Sequence, residues 1–310
     1  VVSLVGQTVS QDRILEHLGG GGMGVVYKAQ DLKIDRLVAL KFLPSELLPS
    51  AEETTRFHQE AKTISSLNHP HIATLHDVDE ADGRMFLVLE YIPGSTLKSK
   101  VKELQSQGRE LPLANALKYG VQIAEGLAHA HRHGIIHRDV KTDNMMLTEE
   151  GDVKISDFGM AMLRGVPSLT PTGSTLGTVA YMSPEQIQGE AVDANSDLFS
   201  FGVVLYELLT GRLPFQGKHE AAVTYSIVNT DPFPVRSLRP GIPGPLEDVI
   251  NRCLENMCSS AKTMRHSPTW KKDTMNIRSI SRISGEASGF DGLRSDPRYT
   301  ALLRRAELEK

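Results

Sequence analysis

The chain has 310 residues, 40% hydrophobic and 23% charged, enough apolar matter for a sizeable core, which excludes wholesale disorder and suits two domains or one large two-lobed one. Lys and Arg total 34 against 38 Asp and Glu, a formal net charge of -4, without the basic excess that nucleic-acid binding needs. Two cysteines, Cys253 and Cys258, build neither a disulfide framework nor a zinc site, and no run reaches the ~18 apolar residues of a membrane span, so the expectation is a reducing, cytoplasmic setting with no membrane segment.

Residues 13 to 43 read RILEHL, GGGGMG, VVYKAQD and RLVALKFL, short antiparallel strands joined by turns. From 51 to 67 the apolar positions Phe57, Ala61, Ile64 and Leu67 recur at three- and four-residue spacing, which predicts an amphipathic helix. IATLHDVDE and RMFLVLEYI then read as two strands around a turn at 81 to 83, and beyond Pro93 and Gly94 the pattern is mainly helical. The clearest helix spans 113 to 133 and ends at Gly134; the segment 196 to 210, SDLFSFGVVLYELLT, is apolar nearly all round, as a central buried helix would be. Sheet first and helices after argue for two lobes with a cleft between them.

Gly19, Gly21 and Gly24 form a GlyxGlyxxGly motif, which by itself fits any flexible turn. The run Val25, Val26, Tyr27 that follows is strand-like, so the helix-opening dinucleotide fold is excluded, whereas a hairpin with exposed amides suits phosphate oxygens. Lys41, in ValAlaLeuLys, sits among apolar neighbours and needs an anion, with Glu60 on the amphipathic helix as the natural candidate; an edge-strand lysine reaching solvent is the alternative. HisArgAspValLysThrAspAsn at 137 to 144 sets a carboxylate, a lysine two residues on and a carboxamide five residues on in one loop. AspPheGly at 157 to 159 puts a second carboxylate at a strand end, a hard oxygen ligand suited to Mg²⁺. SerProGlu at 183 to 185 closes a hydroxyl-rich segment.

From about Arg13 to Glu255 the motifs stand in the order and spacing of the protein kinases, and the chain resembles a eukaryotic-type (Hanks-type) serine/threonine protein kinase of the bacterial branch. The resemblance implies an α+β, bilobal protein kinase fold with a small β-rich N-lobe over 13–92, a larger mainly helical C-lobe over 93–258 and a basic, divergent tail over 259–310. By the same resemblance Gly19, Gly21 and Gly24 would cover the phosphates and Lys41, paired with Glu60, would contact them. Val26, Ala39, Leu89, Glu90 and Ile92 would surround adenine, with Leu89 as gatekeeper and 90 to 92 as hinge. Asp139 would be the catalytic base, Lys141 would stabilise the moving phosphoryl group, and Asn144 and Asp157 would hold Mg²⁺ or Mn²⁺. ATP would be the phosphoryl donor. Leu75, Ile64, Phe158 and His137 match the apolar stack that marks the family's active state.

The family likeness further implies protein substrates bearing Ser or Thr, signal transduction, and a transient homodimer for trans-autophosphorylation, with Thr170, Thr172, Ser174 and Thr175 as acceptors and Arg138 as the partner of their phosphate. Thr178 would line the substrate site. The pattern departs from the family after residue 255: the position of the arginine that would pair with Glu185 is Ala261, and the last helix has no counterpart. A pseudokinase or ATP-binding scaffold with impaired catalysis is therefore the alternative function; a small-molecule kinase is disfavoured by the SerProGlu motif. Residues 259 to 310 carry 11 Lys or Arg against 6 Asp or Glu, and 293 to 308 resemble the far end of bacterial kinases with helical repeats, as though a kinase domain were joined to a piece of a longer protein. His129, His131, His133 and His137 are expected to be packing residues rather than metal ligands, for want of a completing ligand.

Overall fold

The structure is a computed structural model, and it describes residues 4–21, 24–44, 50–158 and 176–255. Strands β1 (Thr8–Val9), β2 (Asp12–Gly21), β3 (Gly24–Asp31), β4 (Arg36–Phe42), β5 (Leu75–Ala81) and β6 (Arg84–Glu90) form one antiparallel sheet in the order β1-β2-β3-β4-β6-β5. Strand periodicity divides β4 between two environments. Val38, Leu40 and Phe42 point to a core shared with Ile14, Tyr27, Ala29, Phe86 and Val88, whereas Ala39 and Lys41 take the opposite face, toward the cleft.

Helix α1 (Ala51–Ser65) covers part of the sheet. Its N-cap Ser50 accepts a hydrogen bond from the Glu53 amide, and Glu52 and Glu53 stand in the first turn where the helix dipole favours negative charge. Phe57 and Ala61 pack with Leu75, Met85 and Leu87, and Ile64 touches both this cluster and the large core below. The chain leaving α1 is stitched to the other lobe: Ile72 forms a parallel bridge with Ile155, the Ala73 amide donates to the Ile155 carbonyl (2.9 Å) and the Ile155 amide to that of His71 (2.9 Å).

The second lobe is built on α3 (Leu113–Arg132) and α6 (Ala194–Thr210). All but four of the residues of α6 are buried, which is why its sequence lacks an amphipathic period; Asp193 caps its start and Gly211, at φ 70°, its end. Around them lie α2 (Leu97–Ser106), α4 (Leu176–Val179), α5 (Pro184–Gln188), α7 (Glu220–Asn229), α8 (Val235–Leu238) and α9 (Gly244–Leu254). The lobe also carries a three-stranded sheet, β7 (Gly94–Thr96), β8 (Met145–Thr148) and β9 (Val153–Ile155), of which β9 is the strand expected just before AspPheGly. These strands are too short to show a period, yet they carry the loops on which the chemistry depends. Among the described residues no helix is long and apolar enough to cross a membrane.

Candidate active site

The loop between α3 and β8 holds the first group of functional side chains. Asp139 accepts two hydrogen bonds from the Lys141 ammonium (3.0 and 2.8 Å) and one from the Asn144 amide at Oδ2 (3.0 Å); Asn144 also donates to the Asp139 carbonyl (2.8 Å). These contacts turn the six residues from Asp139 to Asn144 into one unit, which includes a 3-10 turn over Thr142–Asn144. Because the Asn144 nitrogen is committed to Asp139, its carbonyl oxygen is the free end of the amide.

That unit is anchored from beneath by Asp197, one turn into α6 and 1% exposed. Its carboxylate accepts from the His137 amide (2.8 Å), the Arg138 amide (2.7 Å) and His131 Nε2 (2.7 Å). A buried carboxylate is tolerable only with such compensation. The Asp197 contacts also let Arg138 adopt φ 67°, in the left-handed region. His137 accepts at Nδ1 from the Asp139 amide and donates at Nε2 to the Ser156 carbonyl (2.9 Å), tying the loop to the segment just before Asp157.

Asp157, also left-handed at φ 65°, faces the sheet lobe and pairs with Lys41 at 2.8 Å. Burial opposes the Asp157 carboxylate, but Lys41, then His137 and Lys141, outweigh it and hold its pKa below the usual carboxylate value. The anion that Lys41 needs is therefore Asp157 and not Glu60. Glu60 is half-buried on α1, its pKa raised by burial against the attraction of Arg138 and Arg56. Lys41 and Glu60 form no ion pair among the described residues, a departure from the sequence expectation.

The predicted stack is present in part as direct contact: the His137 and Phe158 rings lie 4.5 Å apart between centroids, and Ile64 joins the Leu75 cluster to the core holding Phe158. Across the cleft, an added Cβ at Gly19 or Gly21 would meet no heavy atom within 4 Å, so the hairpin has open space over it for a ligand's oxygens. Gly24 is different. Its φ is 112° and a Cβ there would lie 1.9 Å from the Phe42 carbonyl oxygen, so that glycine serves the close approach of β3 to β4. Val26 stands opposite Lys41 in the ladder, Ala39 opposite Leu89. Glu90 is fixed on the hinge by Lys154 (2.7 Å) and the Thr74 amide (3.1 Å), and Lys28 lies over the Tyr91 ring at 4.7 Å.

The sequence reading overlooked one buried polar group. Glu207, near the end of the apolar helix α6 and 3% exposed, accepts from Lys98 (2.7 Å), from the Thr142 hydroxyl (2.9 Å) and from the Tyr181 hydroxyl. A carboxylate amid the apolar second half of α6 was the available signal, since it must be partnered. Glu185, feared an orphan, accepts a hydrogen bond from the Ser196 hydroxyl. Ala261, the activation-loop candidates Thr170, Thr172, Ser174 and Thr175, and the tail over 259–310 lie outside the described residues.

A divalent cation suits this donor set. Mg²⁺ takes one or two carboxylate or carbonyl oxygens and completes its octahedron with water and phosphate oxygens, and the Asn144 carbonyl with the Asp157 oxygen not used by Lys41 supply such atoms.

Two lobes joined beside such a pair of carboxylates define a phosphotransferase of the protein kinase class. The sequence pattern of the protein kinase domain matches residues 13–271, and the chain belongs to that family, in the bacterial serine/threonine branch. It is 35% identical over 297 residues to a probable serine/threonine-protein kinase of Clostridium perfringens, covering 96% of this chain and 40% of that protein. With the Bacillus subtilis serine/threonine-protein kinase PrkC it shares 37% identity over 248 residues, 80% of this chain and 38% of the other. The crystal structure of the Mycobacterium tuberculosis PknI kinase domain superposes with a TM-score of 0.65 at 25% identity, over 83% of this chain and 92% of that one. The chain thus spans about two fifths of the length of these curated relatives.

Proposed function

We propose that this chain transfers the γ-phosphoryl group of ATP to Ser or Thr hydroxyls of proteins, with lobes meeting at residues 92 and 93, and that it phosphorylates its own activation loop in signal transduction. The observation that carries the reading is the Asp139, Lys141 and Asn144 unit, held by Asp197 and facing the Lys41 and Asp157 pair. Asp139 orients the acceptor hydroxyl and takes its proton. Lys141, already beside that carboxylate, is placed to meet negative charge as it grows on the transferred group. Gly19 and Gly21 leave backbone amides open to phosphate oxygens, and Lys41 engages the α and β phosphates when it leaves Asp157. Val26, Ala39, Leu89, Glu90 and Ile92 enclose adenine. Mg²⁺ or Mn²⁺, held by Asn144 and Asp157, neutralises phosphate charge.

Arg138 has a buried Nε without a hydrogen-bond partner among the described residues, which supports its role as the receiver of a loop phosphate. The observation favouring the second reading, an ATP-binding scaffold, is the missing Lys41 and Glu60 pair. Label from γ-phosphate-labelled Mg-ATP decides between them. The expected result is phosphoserine or phosphothreonine on a protein acceptor, reduced at least about 100-fold in Asp139→Asn; a folded chain that binds ATP and labels nothing would favour the scaffold.

A further inference from the structure

The residue that follows the SerProGlu motif reaches the catalytic loop from a separate element. Ser183 and Gln186 stand at the spacing of a capping box at the start of α5: the Gln186 amide donates to the Ser183 hydroxyl (3.4 Å) and the Ser183 amide donates to Gln186 Oε1 (3.0 Å). A backbone N–H on that side requires the carboxamide oxygen there, so the carboxamide nitrogen faces the other way. Gln186 Nε2 donates to the Arg138 carbonyl at 2.8 Å. The cap uses one end of the side chain, and the catalytic loop uses the other.

The Arg138 carbonyl belongs to the peptide unit that leads into Asp139, and a peptide unit is planar, so holding its two ends fixes its orientation. Its N–H, that of Asp139, donates to His137 Nδ1 (3.2 Å), and its carbonyl is held by Gln186. Arg138 itself stands at φ 67°, a conformation unfavourable for a residue with a side chain, which persists only where its surroundings enforce it. Asp197 grips the peptide before Arg138 through the Arg138 amide (2.7 Å), and Gln186 grips the peptide after it. Both grips lead back to the first turn of α6, because Ser196, the neighbour of Asp197, donates its hydroxyl to Glu185, the neighbour of Gln186.

We infer that Gln186 is a positioning residue for phosphoryl transfer, whose carboxamide holds the Arg138–Asp139 peptide in the orientation that aims the Asp139 carboxylate. The inference rests on the kinase reading above and adds to it a residue that acts through the Arg138 carbonyl. A glutamine with a structural role alone would cap α5 and leave Asp139 unaffected, and one substitution separates the two roles. In Gln186→Glu the carboxylate still accepts from the Ser183 amide, as glutamate does in a capping box, but its second oxygen faces the Arg138 carbonyl oxygen and repels it. Protonation turns that oxygen into a donor and restores the tie.

The test compares wild type, Gln186→Glu and Gln186→Met in the 310-residue chain, with Mg-ATP and a Thr-containing protein acceptor. Near neutral pH the Glu variant should lose kcat about tenfold, with the KM for ATP changed less than about twofold and the unfolding temperature kept. Its kcat relative to wild type at the same pH should climb as pH falls from about 8 toward about 5, the range in which a partly buried carboxyl takes up its proton. Gln186→Met, without a donor at any pH, should stay low throughout. Hydrogen exchange read at single amides needs no turnover: near neutral pH Asp139 should exchange about tenfold faster in Gln186→Glu than in wild type, while the Ser183 amide stays protected. Unchanged kcat or unchanged Asp139 exchange in Gln186→Glu, or a loss of kcat that acid does not reverse, overturns the positioning role, and wild-type transfer to the acceptor then still supports the kinase reading. A wild-type chain that transfers nothing removes the kinase reading, and the Asp139 exchange rate then decides alone whether Gln186 holds the loop.

Discussion

At the scale of single residues, the site depends on a carboxylate that never touches substrate. Asp197 fixes two consecutive amides of the catalytic loop and the His131 ring, so Asp197→Asn turns one acceptor oxygen into a donor that faces N–H groups. The expected cost is about 2 to 4 kcal/mol of stability, with kcat lowered and the KM for ATP little changed, as thermal unfolding and steady-state kinetics would show. Lys41→Met leaves Asp157 without its cation. Because Lys41 helps to hold the folded-state pKa of Asp157 below its unfolded value, the stability from this pair is present above the unfolded pKa near 4 and fades as pH falls through the folded value. The variant should therefore be less stable than wild type at pH 7, and the gap should narrow in acid.

Elements carry their own tests. Gly24→Ala forces a Cβ against the Phe42 carbonyl at a positive φ, and denaturant titration should show a loss of roughly 1 to 3 kcal/mol, against little change for Gly21→Ala, which meets open space. At α6, a Cβ on Gly202 would lie 2.5 Å from the Cβ of Cys253 on α9, so Gly202→Ala should separate these helices at a cost of roughly 1 to 3 kcal/mol. On β2, Asp12 is 1% exposed and its pKa is raised to about 6, by burial first, then by Asp31, Asp79 and Asp77 against Arg36. A carboxyl with a raised folded pKa stabilises only while protonated, so stability contributed here falls as pH climbs from about 4 to about 6. Asp12→Asn should remove that slope and raise stability at pH 7 by roughly 2 to 3 kcal/mol.

The elements legible in the sequence were those with a strong period or a strong contradiction of it. α1 announced itself through Phe57, Ala61 and Ile64, and α6 through unbroken hydrophobicity. The strand before AspPheGly, β9, was legible, but β7 and β8 stayed hidden because three or four residues carry no period and their pairing is long-range. In the site, the motif residues converge around the cleft as their order implied, yet which anion meets Lys41 was not legible. A spacing along the chain says nothing about the relative reach of α1 and the end of β9. The Glu207 group was legible in principle, as a charge where none should be.

On the scale of the whole molecule, the bridge between Ile72 and Ile155 ties the chain leaving α1 to the second lobe, and two residues beyond Ile155 stands the carboxylate that pairs across the cleft with Lys41. Exchange of Lys41 from Asp157 to nucleotide phosphate is the step the proposed function requires. The measurement that bears on it most directly is a single-turnover experiment in which Mg-ATP binding and phosphoryl transfer to a Thr-containing protein are followed in the same samples of wild type, Asp139→Asn and Lys41→Met. The account predicts binding with transfer in wild type, binding without transfer in Asp139→Asn, and weakened binding without transfer in Lys41→Met. Wild-type chain that binds Mg-ATP and transfers nothing, or transfer that survives in Asp139→Asn, would contradict it.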